Sequence, residues 1–140
     1  MPCAARSGEV AITLALNATG VWFGVGLHSP GAGGGMVGAD MVVAQLGPGA
    51  KLELAEFWAD AYARPMRKAD AGGGNGLNAC AYASSPAAGT RITFTRPLRG
   101  AADAHSADVV PGARASVAWA VGAGPTLAPH VAAGRASVIW

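Results

Sequence analysis

The chain has 140 residues, enough for one domain with a core of its own and too few for two of ordinary size. Apolar residues make up 51% and charged residues 13%. Each apolar run is nevertheless cut by Gly, Pro, Asn or a charge well short of the about 20 residues that a membrane-spanning helix needs, so the mean hydropathy of +0.32 signals no transmembrane segment. The net charge of +2 is scattered, with no Lys/Arg stripe and no zinc-finger or RNP-like spacing, which removes the electrostatic case for nucleic acid.

The first stretch, "MPCAARSGEV", has no apolar signal-peptide core and by itself assigns no compartment. Residues 1–8 read as a tail and residues 9–140 as a single domain. From Val10 to Leu16 the chain alternates, with Val10, Ile12, Leu14 and Leu16 on one side and Ala11, Thr13 and Ala15 on the other, the pattern of a half-buried strand. "NATG" follows as turn chemistry and "VWFGVGL" reads as a second strand, so residues 9–27 are predicted to form a hairpin. Asn17-Ala18-Thr19 at its tip is also a glycosylation sequon.

The glycine-rich "GAGGGMVGAD" then leads into a strand, "MVVAQL" (41–46). "KLELAEFWADAY" (51–62) starts by alternation; its Ala and Glu content also suits a helix, and strand is favoured. Residues 63–90, broken by Gly, Pro, Ser and Asn, read as a long irregular connection with one short strand at "LNACAYA". "RITFTRPL" (91–98), "ASVAWAVGAG" (115–124) and "RASVIW" (135–140) complete the strands. Short strands, turn signals and no convincing amphipathic helix predict an all-β sandwich or barrel of mostly antiparallel strands.

Few motifs suggest chemistry. Cys3 and Cys80 are too far apart for a C-x-x-C motif and too few for a Cys₄ site, leaving a disulfide or two free thiols. Gly33, Gly35 and Gly38 satisfy G-x-G-x-x-G, but a strand-like run follows where a dinucleotide site needs a helix. There is no G-x-S-x-G and no histidine in the setting of a general base, so no catalytic residue set is visible. Asp103, His105 and Asp108 form D-x-H-x-x-D, which reads as a chelator or as a polar loop before a strand.

Met36 and His130 stand out as a pair. A thioether and an imidazole together are the axial set that holds haem iron in electron-transfer cytochromes. Met36 follows a glycine loop that would let a flat macrocycle approach the backbone, and His130 lies in "GPTLAPH", a predicted loop stiffened by Pro125 and Pro129. The plainer alternatives are a core-filling methionine and a surface histidine.

Six segments in order resemble the DOMON domain. "GVWFGVGLHSPGAGGGMVGADMVV" resembles its W-x-x-x-G strand, glycine loop, methionine and G-A-D-x-V-V strand, and "FWADAYARPMRKAD" and "ITFTRPL" resemble its next strands. "DAHSAD" resembles its acidic turn, "VAWAVGAG" its V-x-W-A-x-G strand and "PHVAAGRASV" its histidine and last strand. The resemblance covers residues 9–140 and implies an immunoglobulin-like β-sandwich in a secreted protein or ectodomain. Cytochrome-type members bind haem b through a Met and a His at positions matched by Met36 and His130, with Trp22, Phe23 or Trp119 as the apolar pocket wall. Such a non-catalytic module would pass electrons to a separate redox partner protein.

"GADMVV" and the acidic turn are closer to DOMON domains of copper monooxygenases, which imply a haem-free module for a sugar, small ligand, cation or protein. There the resemblance matches a cation site to Asp40 and Asp70, whose hard oxygens would favour Ca²⁺. Family members usually carry one or two strands before "GEVAITLAL", so the expectation here is either an open sheet edge or an edge covered by a partner chain or by a stretch missing from this sequence.

Overall fold

The computed structural model describes residues 3–46, 51–71, 74, 76–101 and 105–140. In chain order its elements are β1 (Glu9–Leu16), β2 (Phe23–Leu27), β3 (Asp40–Leu46), β4 (Leu52–Trp58), β5 (Met66–Arg67), a 3-10 turn (Lys68–Ala71), β6 (Asn78–Ser85), β7 (Gly89–Pro97), β8 (Arg114–Gly122) and β9 (His130–Ile139). Two antiparallel sheets form a sandwich, one ordered β1-β7-β6 and the other β5-β4-β3-β2-β8-β9. The expected all-β, immunoglobulin-like architecture is the one found.

The alternation in β1 does what period two requires. Ile12, set opposite Phe94 of β7, enters the space between the sheets and packs with Leu27, Val42 and Val117 of the larger one. The partner, however, is not the one predicted. β1 pairs along its whole length with β7, while β2 pairs with β3 and β8, so residues 17–22 cross between sheets and close no hairpin. Two contacts hold the crossing. Gly89, at φ 73°, comes so close that a Cβ would lie 2.2 Å from the Leu16 carbonyl oxygen, and the Thr90 hydroxyl donates to the carbonyl of Ala18 at 2.7 Å.

The run 51–62 is a strand from Leu52 to Trp58, because its registers from Met41↔Phe57 to Leu46↔Leu52 match β3. The stretch predicted to be irregular contains β5, the 3-10 turn and an eight-residue β6 paired with β7 through a bulge between Ala79 and Ala81. β9 starts five residues before the predicted strand. His130 is therefore its first residue and not part of a loop, with an irregular register at Gly122↔His130.

Cys3 and Cys80 form a disulfide, Cα–Cα 5.4 Å, which ties the N-terminal segment to β6. Among the described residues no helix is long and apolar enough to cross a membrane.

The six-stranded sheet is apolar on both faces. Its second face carries Met41, Val43 and Phe57 with Trp22, Ala39 and Ala59, and is covered by connections rather than by a sheet. β2 lets one of them down onto the strand: a Cβ on Gly26 would come within 2.8 Å of the Ala39 side chain. The three-stranded sheet is the narrower layer, and β9, at one edge of the wider one, is exposed along most of its length.

Candidate functional site

The glycines at 33–35 let the 28–39 connection lie flat across β8 and β9. A Cβ on Gly34 would sit 3.2 Å from the Cβ of Ser116, and one on Gly35 would sit 3.2 Å from Nη2 of Arg135. The buried His28 ring donates through Nε2 to the Gly35 carbonyl at 2.8 Å, and the amides of Gly38 and Ala39 bond to the carbonyls of Ala59 and Met36. These bonds fix the residue that follows Gly35. Met36 is half-buried and packs against the Trp22, Met41, Val43 and Phe57 cluster, as do Ala120 of β8 and Leu127. His130 faces Gly122 across the β8–β9 ladder, and directly opposed residues of an antiparallel pair share a face. Gly122 belongs to the face of Ala120, and the Trp22 ring fills the space above it, 1.9 Å from where a Cβ would be. Met36 and Trp22 thus pack on one face of the larger sheet, and the exposed His130 pairs with Gly122 of that face at the irregular end of the β8–β9 register.

Phe23 and Trp119 are not brought there. Both point into the sandwich side of the sheet, Phe23 packing with Ala44 and Ile92, and Trp119 standing in register with Val25 and Gly134. Trp119 is 43% exposed because the narrower sheet does not reach it, and its ring lies over Gly134, 2.6 Å from where a Cβ would be.

Next to the Met36 cluster a groove of about 410 Å³ opens, lined by Gln45, Phe57, Trp58, Arg64, Met66 and Leu127 among others. The Gln45 side chain accepts from the Leu127 amide at 2.8 Å, the Leu46 amide donates to the carbonyl of Pro125, and Arg67 lies over the Phe57 ring while pairing with Glu53. Phe57 and Leu127 belong both to the groove and to the packing around Met36.

Asp40 and Asp70 have different surroundings. Asp40, 1% exposed, takes Lys68 Nζ at 2.5 Å on one oxygen, and Arg96 Nη1 at 3.0 Å and the Ala107 amide at 2.9 Å on the other. Its oxygens already face two buried cations, which a Ca²⁺ would have to displace against like-charge repulsion. Asp70 is exposed and lines the groove. In the D-x-H-x-x-D segment, Asp103 lies outside the described residues, His105 stacks on Trp58 with centroids 3.8 Å apart, and Asp108 accepts from the Gly100 amide. Among the described residues no group of three His, Cys, Asp or Glu could hold a metal.

Sequence reasoning missed Lys68, Arg96, His28, Tyr62 and Arg135. Only Arg96 gave a hint, since it lies on the same side of alternating β7 as the buried Ile92 and Phe94, where an arginine needs a counter-charge.

No protein-family model matches the chain, and no curated protein does either. The solved structure of the cytochrome b domain of pyranose dehydrogenase from Coprinopsis cinerea shares its fold, with a TM-score of 0.59 at 18% identity over 93% of this chain. This chain spans 66% of the length of that one.

Proposed function

We propose that this chain is a haem b-binding electron-transfer module of DOMON type, with Met36 and His130 as the axial ligands. One observation carries the reading: the glycine loop packs Met36 on the sheet face to which Gly122, the register partner of His130, belongs, and Gly24 and Gly26 keep that face low. The fold shared with a cytochrome b domain supports it. The residues present fit the group. A thioether and an imidazole make a six-coordinate, low-spin donor pair, and Trp22, Met41, Val43 and Phe57 form a dry apolar floor.

Bound haem supplies a one-electron carrier. The chain's own residues do the rest. His28 holds the loop through Gly35, the loop presents the Met36 sulfur, and the apolar floor excludes water from one side. The described side chains packed around Met36 are apolar, which supports a redox carrier that serves a separate partner protein. The Cys3–Cys80 disulfide favours an oxidising, extracellular setting.

The test is a titration of purified protein with haemin, followed by dithionite. Saturation at one haem per chain with a sharp low-spin α-band is expected, and Met36→Ala should abolish the six-coordinate spectrum. The same spectrum in that variant would remove Met36 from the ligand set.

The groove favours a second reading, a haem-free module for a small ligand or sugar, because the partly exposed Trp58 lines it beside Arg64 and Gln45. Non-saturating haemin absorbance together with saturable sugar binding that is lost in Trp58→Ala would establish it instead.

A further inference from the structure

The sequon Asn17-Ala18-Thr19 stands where the chain leaves β1 and the narrower sheet. In β1 the odd-numbered Ala11, Thr13 and Ala15 are exposed, while Ile12, Leu14 and Leu16 pack inward, and Asn17 continues the exposed series. Thr19 is exposed as well. The contacts that fix this bend reach its main chain. A Cβ on Gly89 would lie 3.0 Å from the Asn17 Cα, and the Thr90 hydroxyl donates to the Ala18 carbonyl at 2.7 Å. The fold therefore grips the sequon by its backbone and leaves the Asn17 amide and the Thr19 hydroxyl at the surface. A Cβ on Gly20 would meet nothing within 4 Å, so the space beside the bend is open. The middle residue is alanine and not the proline that disqualifies an acceptor.

A second observation supplies the compartment. The Cys3–Cys80 disulfide spans 77 residues and ties the N-terminal segment to β6. Such cross-links form and persist in oxidising compartments, which for a eukaryotic chain means the secretory pathway, where oligosaccharide is transferred to asparagine. The topology also gives the transfer time to happen. β1 pairs with β7, which begins only at Gly89, so on a chain made at about 5–20 residues per second the sequon is free of its later partner for roughly 4–14 s.

We infer that Asn17 is an N-glycosylation site, modified as the chain enters the secretory pathway. The co-substrate is a lipid pyrophosphate-linked oligosaccharide. The Asn17 amide nitrogen forms a bond to the anomeric carbon of its first sugar, the bond from that carbon to the pyrophosphate oxygen breaks, the lipid pyrophosphate leaves, and the amide gives up one proton. No electrons are exchanged. The glycan projects from the rim of the narrower sheet, whereas Met36 packs on the face of the wider sheet that is turned away from it, so the site stands whether or not haem is bound.

The test expresses the full chain behind a cleavable secretory leader in cultured eukaryotic cells. Protein from cells and medium that has lost its leader is treated with peptide N-glycosidase. For the wild type a single downward shift in mass is expected, with position 17 recovered as aspartate by peptide mapping. Asn17→Gln and Thr19→Ala should remove the shift, and Thr19→Ser, which keeps a hydroxyl, should retain it. Both replaced side chains are exposed, so the variants should unfold at the midpoint of the deglycosylated wild type. Leader-free wild type that the glycosidase does not shift, or a shift that survives in Asn17→Gln, overturns the inference and leaves the haem reading untouched.

Discussion

Replacing Asp40 by Asn tests whether the centre of the sandwich is held by charge. The carboxylate is 1% exposed and is the counter-ion of Lys68, 2% exposed, and Arg96, 0% exposed. Arg96 also donates to the Ala107 carbonyl at 2.6 Å, and Lys68 to the Ser106 hydroxyl at 3.3 Å, so both cations are locked in place and cannot swing out to water. The substitution keeps the shape and removes the negative charge that both cations contact. Leaving buried charge without its partner costs about 3–5 kcal/mol, a large part of the about 5–15 kcal/mol that separates folded from unfolded domains. At about 2–4 °C per kcal/mol for a domain near this size, the melting temperature should fall by roughly 6–20 °C. Urea and thermal unfolding of the purified protein measure it, with Asp70→Asn as an exposed control expected to stay within about 0.5 kcal/mol. Because the Asp40 oxygens are engaged, adding calcium to the wild type should not move the midpoint. An Asp40→Asn loss below about 1 kcal/mol, or a calcium-dependent rise in the wild type, would refute the argument.

Gly122→Ala should destabilise by about 1–3 kcal/mol, because its Cβ would enter the ring of the buried Trp22; an unchanged denaturation midpoint would show that the ring moves aside freely. Cys3→Ser removes a cross-link spanning 77 residues and should cost about 2–4 kcal/mol. Reductant should lower the wild-type midpoint by a like amount and leave that of the variant alone.

What was legible in the sequence follows from where side-chain size carries the pattern. β1 and β7 alternate large with small or polar residues, so their faces and their packing against one sheet could be read directly. β9 is built of Ala, Gly and Ser over most of its length, where period two leaves no contrast, and its start at His130 is set by pairing with β8 rather than by its own residues. The missed crossover after β1 has a related cause. "NATG" marks a chain reversal, but turn chemistry says nothing about which strand lies alongside, and β7 takes that place from about 80 residues away in the chain.

The site divides in the same way. Met36 was readable because glycine before a large soft side chain is a local signal, and Trp22 because it lies near the same run. Phe23 is one residue from Trp22 and faces the opposite side of the sheet, which is what period two demands once β2 is an extended strand. Asp40 reads as an acidic ligand in sequence, but the identity of its partners depends on where the 3-10 turn sets Lys68 and where β7 sets Arg96, both products of tertiary folding. Arg135 and Tyr62 carry no local signal at all. They meet because the flat glycine loop leaves room above it, so the same missing Cβ atoms that made Met36 conspicuous in the sequence create a place whose occupants only the fold reveals.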